Sequence, residues 1–544
     1  MTTRSALGDA VRDARDAWQP LTTFVAVAFG LAAFVPLFVG ESRVADLAGG
    51  LYLAAAAVGL ALSVGVAGLP LLAQGAFMAI GAVTAAHIGS TALGATAGAL
   101  AGGLCALVVG VAFARLPQAG FAVASWIVSW LVAFGLQSIR WPLGGTEGIV
   151  VVGGPSPSEH YELGLLLTLL AVGVYAALAR APFGLQLAAA REREPAATAL
   201  RVPIVRLRIE TLGVSGTFAG VAGALAVHLA GVGDPGSFSP FLSFKLFVVV
   251  LIGGPLSALG GVVGELVLGV LSLAAGAIGS LENVAVARSH TLLAAIMLLG
   301  VVSLGWDGII RPGTRRRRSD AGSRPARSPA SGLEARGLTK RYGDITAAEN
   351  IDLDVEAGRI TALVGPNGSG KTTVLRMLAG RVSPDSGRID VGGGTAVRTL
   401  QATAVFSSQT PLEHLLAASA GRRRRGGLAR SLFATPQMRA EDAGFVSWAE
   451  DVLDRFGLPR DTPAGELPVS DQRALMLATA YATGASVLLV DEPTAGASHL
   501  EAERIADLLS SLRDEGLALL VVEHNMGLVQ RIADQVLVLE AGRL

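Results

Sequence analysis

From Leu21 to Ile310 the chain runs in long apolar stretches separated by short polar turns. From Leu333 onward it changes to short apolar runs alternating with amphipathic ones. A helix needs roughly 20 apolar residues to cross a bilayer core. Stretches of about that length occur at 21–40, 47–69, 71–89, 92–114, 118–138, 163–180, 211–232, 243–258, 262–281 and 291–310. They predict an N-terminal all-α polytopic membrane domain of about 8–10 transmembrane helices. The second and third stretches meet at Leu69-Pro70 with almost no loop, the pattern of a broken or re-entrant pair. The 243–258 stretch is short and runs into Gly253-Gly254-Pro255.

The later pattern differs in period. Ile360–Val364 and Val487–Val490 read as buried strands between helical stretches, which predicts a C-terminal α/β domain. Residues 311–331, rich in Arg, Pro, Ser and Gly, read as a basic flexible linker that cannot bury a core. The expected organisation is a cytoplasmic segment at 1–20, a membrane domain at 21–310, the linker at 311–331 and the α/β domain at 332–544.

Composition sharpens this division. The chain carries 43 Lys+Arg against 43 Asp+Glu, is 51% hydrophobic and only 16% charged. Soluble domains are nearer one quarter charged. The deficit is local, since no Asp, Glu, Lys or Arg occurs between Asp46 and Arg115. A wholly soluble enzyme, a small secreted domain and a disordered tail protein are excluded. Cys105 is the single cysteine, which excludes a disulfide framework and a cysteine zinc site. Lysine is confined to Lys245, Lys340 and Lys371, while Arg and Ala abound. That bias suggests a GC-rich bacterial genome rather than a surface for nucleic acid. The N-terminus mixes Arg4, Arg12 and Arg15 with Asp9, Asp13 and Asp16 and does not read as a secretory signal. Arg180, Arg191, Arg193, Arg201, Arg206 and Arg208 mark one cytoplasmic loop, and Arg315–Arg318 mark a second cytoplasmic flank beside lipid. With six spans before that loop and four after it, the N-terminus is also expected inside and 139–162 outside. The expected location is a bacterial inner membrane, multi-pass, with the α/β domain in the cytoplasm.

Chemistry is most explicit in Gly365-Pro366-Asn367-Gly368-Ser369-Gly370-Lys371-Thr372, which follows a strand and precedes a helix expected to begin near Thr373. Such a loop closes backbone N–H groups around phosphates, with the helix N-terminus adding positive potential. Lys371 is placed to reach the β- and γ-phosphates and Thr372 to ligate Mg²⁺. The strand Val487–Val490 delivers Asp491 and Glu492. Asp491 is expected to hold Mg²⁺ through water, and Glu492 to polarise an attacking water.

These two motifs, with Gln409 between them and Glu523-His524 after the strand Leu519–Val522, resemble an ABC transporter ATPase. The resemblance implies ATP and Mg²⁺ as ligands. It makes Gln409 the glutamine that senses Mg²⁺ and contacts the membrane domain, His524 the residue that meets the γ-phosphate, and Tyr342 the aromatic that stacks on adenine. Thr373 joins the phosphate-binding set. The family's L-S-G-G-Q signature is replaced by Leu467-Pro468-Val469-Ser470-Asp471. Pro468 removes a backbone donor, Val469 adds bulk and Asp471 adds negative charge. Two readings stay open: drift with Ser470 substituting, or a weakened composite ATP site. The second implies a partner ATPase with an intact signature.

The membrane half resembles the permeases of branched-chain amino-acid ABC importers. The resemblance rests on Gly68–Met78 with Gly81-Ala82, Gly144–Ile149, Ile252–Ser257 with Gly260-Gly261, and the loop from Pro182-Phe183-Gly184 through Arg191-Glu192-Arg193-Glu194. The long insert after Gln409 and Glu523-His524-Asn525-Met526 carry the same resemblance in the ATPase half. The whole resembles a natural fusion of one permease and one ATP-binding subunit. That implies import of a hydrophobic amino acid, with a second permease, a second ATPase and an extracytoplasmic substrate-binding protein as partners. It also implies that Arg191, Glu192, Arg193 and Glu194 form the coupling loop near Gln409. Gln74 and Gly75 are the pathway candidates. Ionisable His87, His228, Lys245 and Glu265 lie in or beside spans. Urea-like or amide solutes, aromatic acids and, more distantly, a half-exporter stay open as alternatives.

Overall fold

The computed structural model describes residues 29, 32–139, 145–151, 154–278, 331–399, 405–422, 428–432 and 436–544. The expected N-terminal segment 1–20, half of the span at 21–40, the span at 291–310 and all of the linker except Ser331 lie outside the described residues. The chain divides into two compact units, Met1–Ala188 with Val205–Arg318 and Ala189–Ile204 with Ser319–Leu544. Most of the expected coupling loop therefore groups with the α/β part rather than with the membrane helices that flank it.

The first unit is helical. α1 (Glu41–Ala61) continues through a π turn at Leu62–Val66. It is followed by α2 (Gln74–Ala86), α3 (Thr91–Phe113), α4 (Gln118–Ser138) and α5 (Pro157–Arg180). Next come α6 (Pro182–Glu192) and the short α7 (Glu194–Ala199), which lead into α8 (Ile204–Ala230), α9 (Pro240–Gly253) and α10 (Gly260–Ile278). Among the described residues, five helices are long and apolar enough to cross a membrane: Glu41–Val66, α3, α4, α5 and α8. The expectation of full spans at 71–89 and 243–258 is corrected. Those helices have 13 and 14 residues, about 20 Å of rise, short of a hydrocarbon core of about 30 Å.

The break at Leu69-Pro70 shows how such short helices are tolerated. Backbone freed from helical pairing must find partners within the protein. Leu72 N–H donates to Ser125 Oγ (3.0 Å), and Ser129 Oγ donates to Leu72 O (2.7 Å). Gly75 N–H donates to Ser243 Oγ (2.8 Å). The Gln74 amide donates to Ala56 O (2.8 Å) and Ser215 O (3.3 Å) and accepts from Ser215 Oγ (3.1 Å). Gln74 is fully buried, and its polar atoms tie α1, α2 and α8 together. Glycine allows the helices this proximity: a Cβ on Gly220 of α8 would lie 2.1 Å from Gly98 O of α3. Lys245 and Glu265 pair across α9 and α10 at 2.9 Å.

The first unit also holds a short antiparallel pair, β1 (Ile149–Val150) and β2 (Val232–Gly233). The second unit has two sheets. β3 (Leu333–Tyr342), β4 (Ile345–Val355) and β6 (Ser386–Asp390) form an antiparallel sheet in the order β4-β3-β6. β5 (Ile360–Val364), β7 (Ala396–Arg398), β8 (Val487–Asp491), β9 (Ala518–Val522) and β10 (Gln535–Val538) form a parallel sheet in the order β10-β5-β9-β8-β7. β5, β8 and β9 are buried along their whole length, as expected of parallel strands covered on both faces. The helices are α11 (Lys371–Leu378), α12 (Pro411–Ala418), α13 (Pro436–Phe456), α14 (Val469–Ala482), α15 (His499–Asp514) and α16 (Met526–Ile532). The main core joins Leu338, Ile351 and Leu353 of the antiparallel sheet to Leu363, Leu489 and Leu520 of the parallel one, with Val374 and Leu378 of α11 between them. The C-terminal ends of β5, β8 and β9 thus open on one edge, where ligands bind in parallel α/β sheets.

Candidate nucleotide-binding site

β5 turns directly into the Gly365–Gly370 loop, and α11 begins at Lys371, two residues before the expected Thr373. Gly370 has φ +104°, and a Cβ there would stand 2.1 Å from Ala347 O, so only glycine closes this turn. The Lys371 ammonium folds back over the loop, donating to Gly365 O and Pro366 O at 2.8 Å each. Ser369 is buried, and its hydroxyl has no partner. Asn367, Gly368 and Thr372 are exposed, with Thr373 half-buried beside them. A buried unpaired hydroxyl, a lysine ammonium and a helix N-terminus converging on one loop suit the phosphates of ATP. Tyr342, at the end of β3, is exposed with Lys340 Nζ 5.8 Å from its ring centre.

β8 carries Asp491 to the same edge. Asp491 N–H donates to Thr399 Oγ1 (3.2 Å), and the Asp491 carboxylate pairs with the Arg398 guanidinium. Glu492 follows in the left-handed region, at φ +46°, a conformation disfavoured for a side chain with Cβ. Its N–H donates to Val522 O (2.9 Å), and its Oε1 lies 3.0 Å from His524 Nε2. The next carboxylate braces both loops. Buried Glu523 accepts from Thr494 N–H (2.8 Å) and Oγ1 (2.6 Å), and from His524 N–H (2.9 Å) and Asn525 N–H (3.2 Å). The expected Lys371, Asp491 and Glu492 thus follow β5 and β8 at the same edge of the parallel sheet, and His524, after β9 between those strands, contacts Glu492. Arg398, Thr399 and Thr494 were not singled out from the sequence. Their roles depend on which strand pairs with which.

Gln409 lies beyond β7 in the chain. It is buried in the turn before α12, its N–H donating to Phe406 O (3.0 Å) and its carbonyl accepting from Ala464 N–H (2.9 Å). Arg398 and Thr399, not Gln409, stand at the end of β7 beside Asp491. Gln401, which follows them in the chain, lies outside the described residues. The turn is pinned by His414, fully buried. Its Nδ1–H donates to Thr410 O (2.9 Å), and its Nε2 accepts from Phe406 N–H (2.9 Å). Burial pushes this imidazole down to about 4.

The coupling segment meets the same turn. α6 ends at Glu192, Arg193 bridges to α7, and Glu194 opens α7. Glu192 accepts from Ser408 N–H (2.7 Å) and Ser408 Oγ (3.1 Å). Ser408 adjoins Gln409, so the expected proximity of Glu192 and Gln409 is present. Arg191 closes the last turn of α6 beside it.

The signature position also takes shape. α14 starts at Val469, with Pro468 ahead of it, and Val469 is 50% exposed at the tip. Leu467 is buried, and its carbonyl accepts from Gln472 Nε2 (2.9 Å). Ser470 bonds Glu501. Asp471 pairs with Arg504 of α15 at 2.6 Å. The negative charge that Asp471 adds to this loop is thus held in an ion pair with Arg504.

A phosphate loop on a parallel sheet, with an acidic strand end and a histidine in contact, defines an ABC-type ATPase, here in one chain with a helical membrane unit. A model of the branched-chain amino acid transport system permease component matches residues 45–302, and an ABC transporter model matches 348–495. The high-affinity branched-chain amino acid transport ATP-binding protein BraF of Pseudomonas aeruginosa is 33% identical over 226 residues, covering 39% of this chain and 88% of that protein. LivG of Escherichia coli, an ATP-binding protein of the same description, is 32% identical over the same span. The ribose import ATP-binding protein RbsA 1 of Burkholderia ambifaria is 34% identical over 223 residues, 39% of this chain and 42% of that protein. The chain belongs to the ABC transporter family: its ATP-binding part is similar to branched-chain amino acid transport ATP-binding proteins, and the same chain carries a helical part that matches the branched-chain permease model.

Proposed function

We propose that this chain is the combined permease and ATPase subunit of an importer for branched-chain or related hydrophobic amino acids. It would sit in the bacterial inner membrane with its N-terminus and ATPase domain in the cytoplasm. The observation that carries this reading is the Glu192–Ser408 bond, which joins the segment between α5 and α8 to the turn before α12. A movement of that turn is handed straight to the chain that enters α8.

Each site residue has a task in this reading. The 365–370 loop and Lys371 hold the phosphates, with Thr373 in the first turn of α11 behind them and Tyr342 offering a face for the base. Thr372 and Asp491 are the oxygen donors suited to Mg²⁺, which when bound neutralises phosphate charge. Glu492 takes the proton of the attacking water, and His524 orients that carboxylate and donates towards the leaving phosphate. The altered Leu467–Asp471 loop favours pairing with a second ATPase that has an intact signature. A second permease and an extracytoplasmic binding protein complete the assembly, with lipid around the helices and no role for nucleic acid.

The test is ATP turnover of the reconstituted complex with its binding protein. Leucine, isoleucine or valine on the binding protein should stimulate turnover. Stimulation by ribose, urea or an aromatic acid instead would move the substrate assignment while leaving the importer reading intact.

A further inference from the structure

Arg398 is unassigned by the nucleotide-site motifs, yet it makes the most direct contact with their central carboxylate. It ends β7, and parallel pairing sets it beside Leu489 of β8. From there its Nη2 reaches Asp491 Oδ2. The side chains are 17% and 6% exposed, so water does little to shield either charge. Arg398 Nε is buried without a partner, so the guanidinium is not anchored through its full fork. Arg381 lies close enough to feel it: burial, then the like charges of Arg398 and Arg201, hold Arg381 below the usual arginine range. Arg398 thus reaches the Asp491 carboxylate with one end of its fork while a second arginine, Arg381, lies near enough to feel its charge.

A buried carboxylate with no counter-charge is strongly unfavourable. We propose that Arg398 is a positioning residue that acts as the counter-ion of Asp491, and that Mg²⁺ accompanying ATP competes with it, so that Arg398 sets the divalent-cation affinity of the site. This rests on the reading of Asp491 as the metal's carboxylate. A guanidinium that stays on Asp491 repels an incoming cation.

The test is Mn²⁺ binding by electron paramagnetic resonance on the full-length protein with saturating ATP, alongside binding of a fluorescent ATP analogue in EDTA. Arg398→Gln should tighten Mn²⁺ binding several-fold while metal-free nucleotide binding stays within about twofold. Arg398→Lys keeps the charge on a less suited head group and should tighten it by a smaller factor, so the question stays answerable should Arg398→Gln fail to fold. Unchanged or weaker Mn²⁺ binding in the folded variants overturns the proposal, provided Asp491→Asn weakens Mn²⁺. If Asp491→Asn leaves Mn²⁺ affinity untouched, the reading of Asp491 itself fails.

Discussion

Glu492 Oε1 and His524 Nε2 lie 3.0 Å apart, although they leave different strands of the sheet. The contact is built by backbone. Glu492 is turned back at φ +46° with its N–H on Val522 O, and Glu523 holds the N–H of His524. A carboxylate so fixed needs little reorganisation to accept a proton. Glu492→Gln should lower ATP turnover about 10²-fold or more, the scale of a lost general base. Nucleotide binding should stay near normal. His524→Ala should slow turnover as well, and single-turnover measurements would place its loss in the chemical step.

Lys371 spends its ammonium on the loop's own carbonyls, Gly365 O and Pro366 O. Lys371→Ala removes the positive charge from the phosphate loop. Nucleotide affinity should fall at least tenfold, read by titration with a fluorescent ATP analogue.

The turn at 405–414 should be sensitive to acid. Neutral His414 both accepts and donates within it, and its folded value of about 4 lies below the ordinary histidine value of about 6.5. Between those two pH values the unfolded chain binds a proton that the folded chain refuses. Stability from this group is therefore complete above about pH 6.5 and declines as pH falls towards 4. Thermal unfolding followed from pH 7.5 to 4.5 should show that decline. His414→Gln, less stable at neutral pH, should show a flatter profile.

Two glutamines compete for one role. Gln409 is sealed into the turn before α12, while Gln401 follows Thr399 by two positions in the sequence, and Arg398 and Thr399 both contact Asp491. Gln401→Ala should weaken the Mg²⁺ dependence of ATP turnover. Gln409→Ala should act chiefly on folding of the turn. Mg²⁺ titrations of the two variants would separate these outcomes.

Glu192 and Ser408 should govern coupling. Glu192→Ala removes two hydrogen bonds across the coupling contact. Transport per ATP hydrolysed should fall, with turnover reduced much less than uptake. The ratio in reconstituted vesicles is the measurement. At the altered signature, rebuilding Leu-Ser-Gly-Gly-Gln at 467–471 should raise turnover per complex. The lost Asp471–Arg504 pair, partly exposed, should cost about 1 kcal/mol or less.

Much of this site is readable from consecutive residues. The Gly365–Thr372 loop and the apolar run into Asp491 are local signals, and both appear where a strand-loop-helix and a buried strand were expected. Arg398 could not be found that way, because its contact with Asp491 joins positions 93 residues apart and exists only once β7 pairs with β8. The same holds for Thr399, whose hydroxyl meets the Asp491 N–H only through the β7–β8 pairing. In the membrane half, hydropathy detects apolar length but not where backbone pairing stops. The short α2 and α9 depend on Ser125, Ser129 and Ser243, whose partnerships cross helices. The Arg504 that offsets Asp471 is likewise a tertiary partner on a separate helix.

In the proposed importer one chain couples this ATP site to amino-acid uptake. The most direct measurement is uptake of radiolabelled leucine into proteoliposomes holding the complete complex, with binding protein added on the side away from the ATPase. Accumulation that requires ATP on the ATPase side, and that is abolished by both Lys371→Ala and Glu492→Gln, is the predicted result. ATP turnover that proceeds with no uptake of leucine, isoleucine or valine, or uptake that survives Glu492→Gln, would contradict the account.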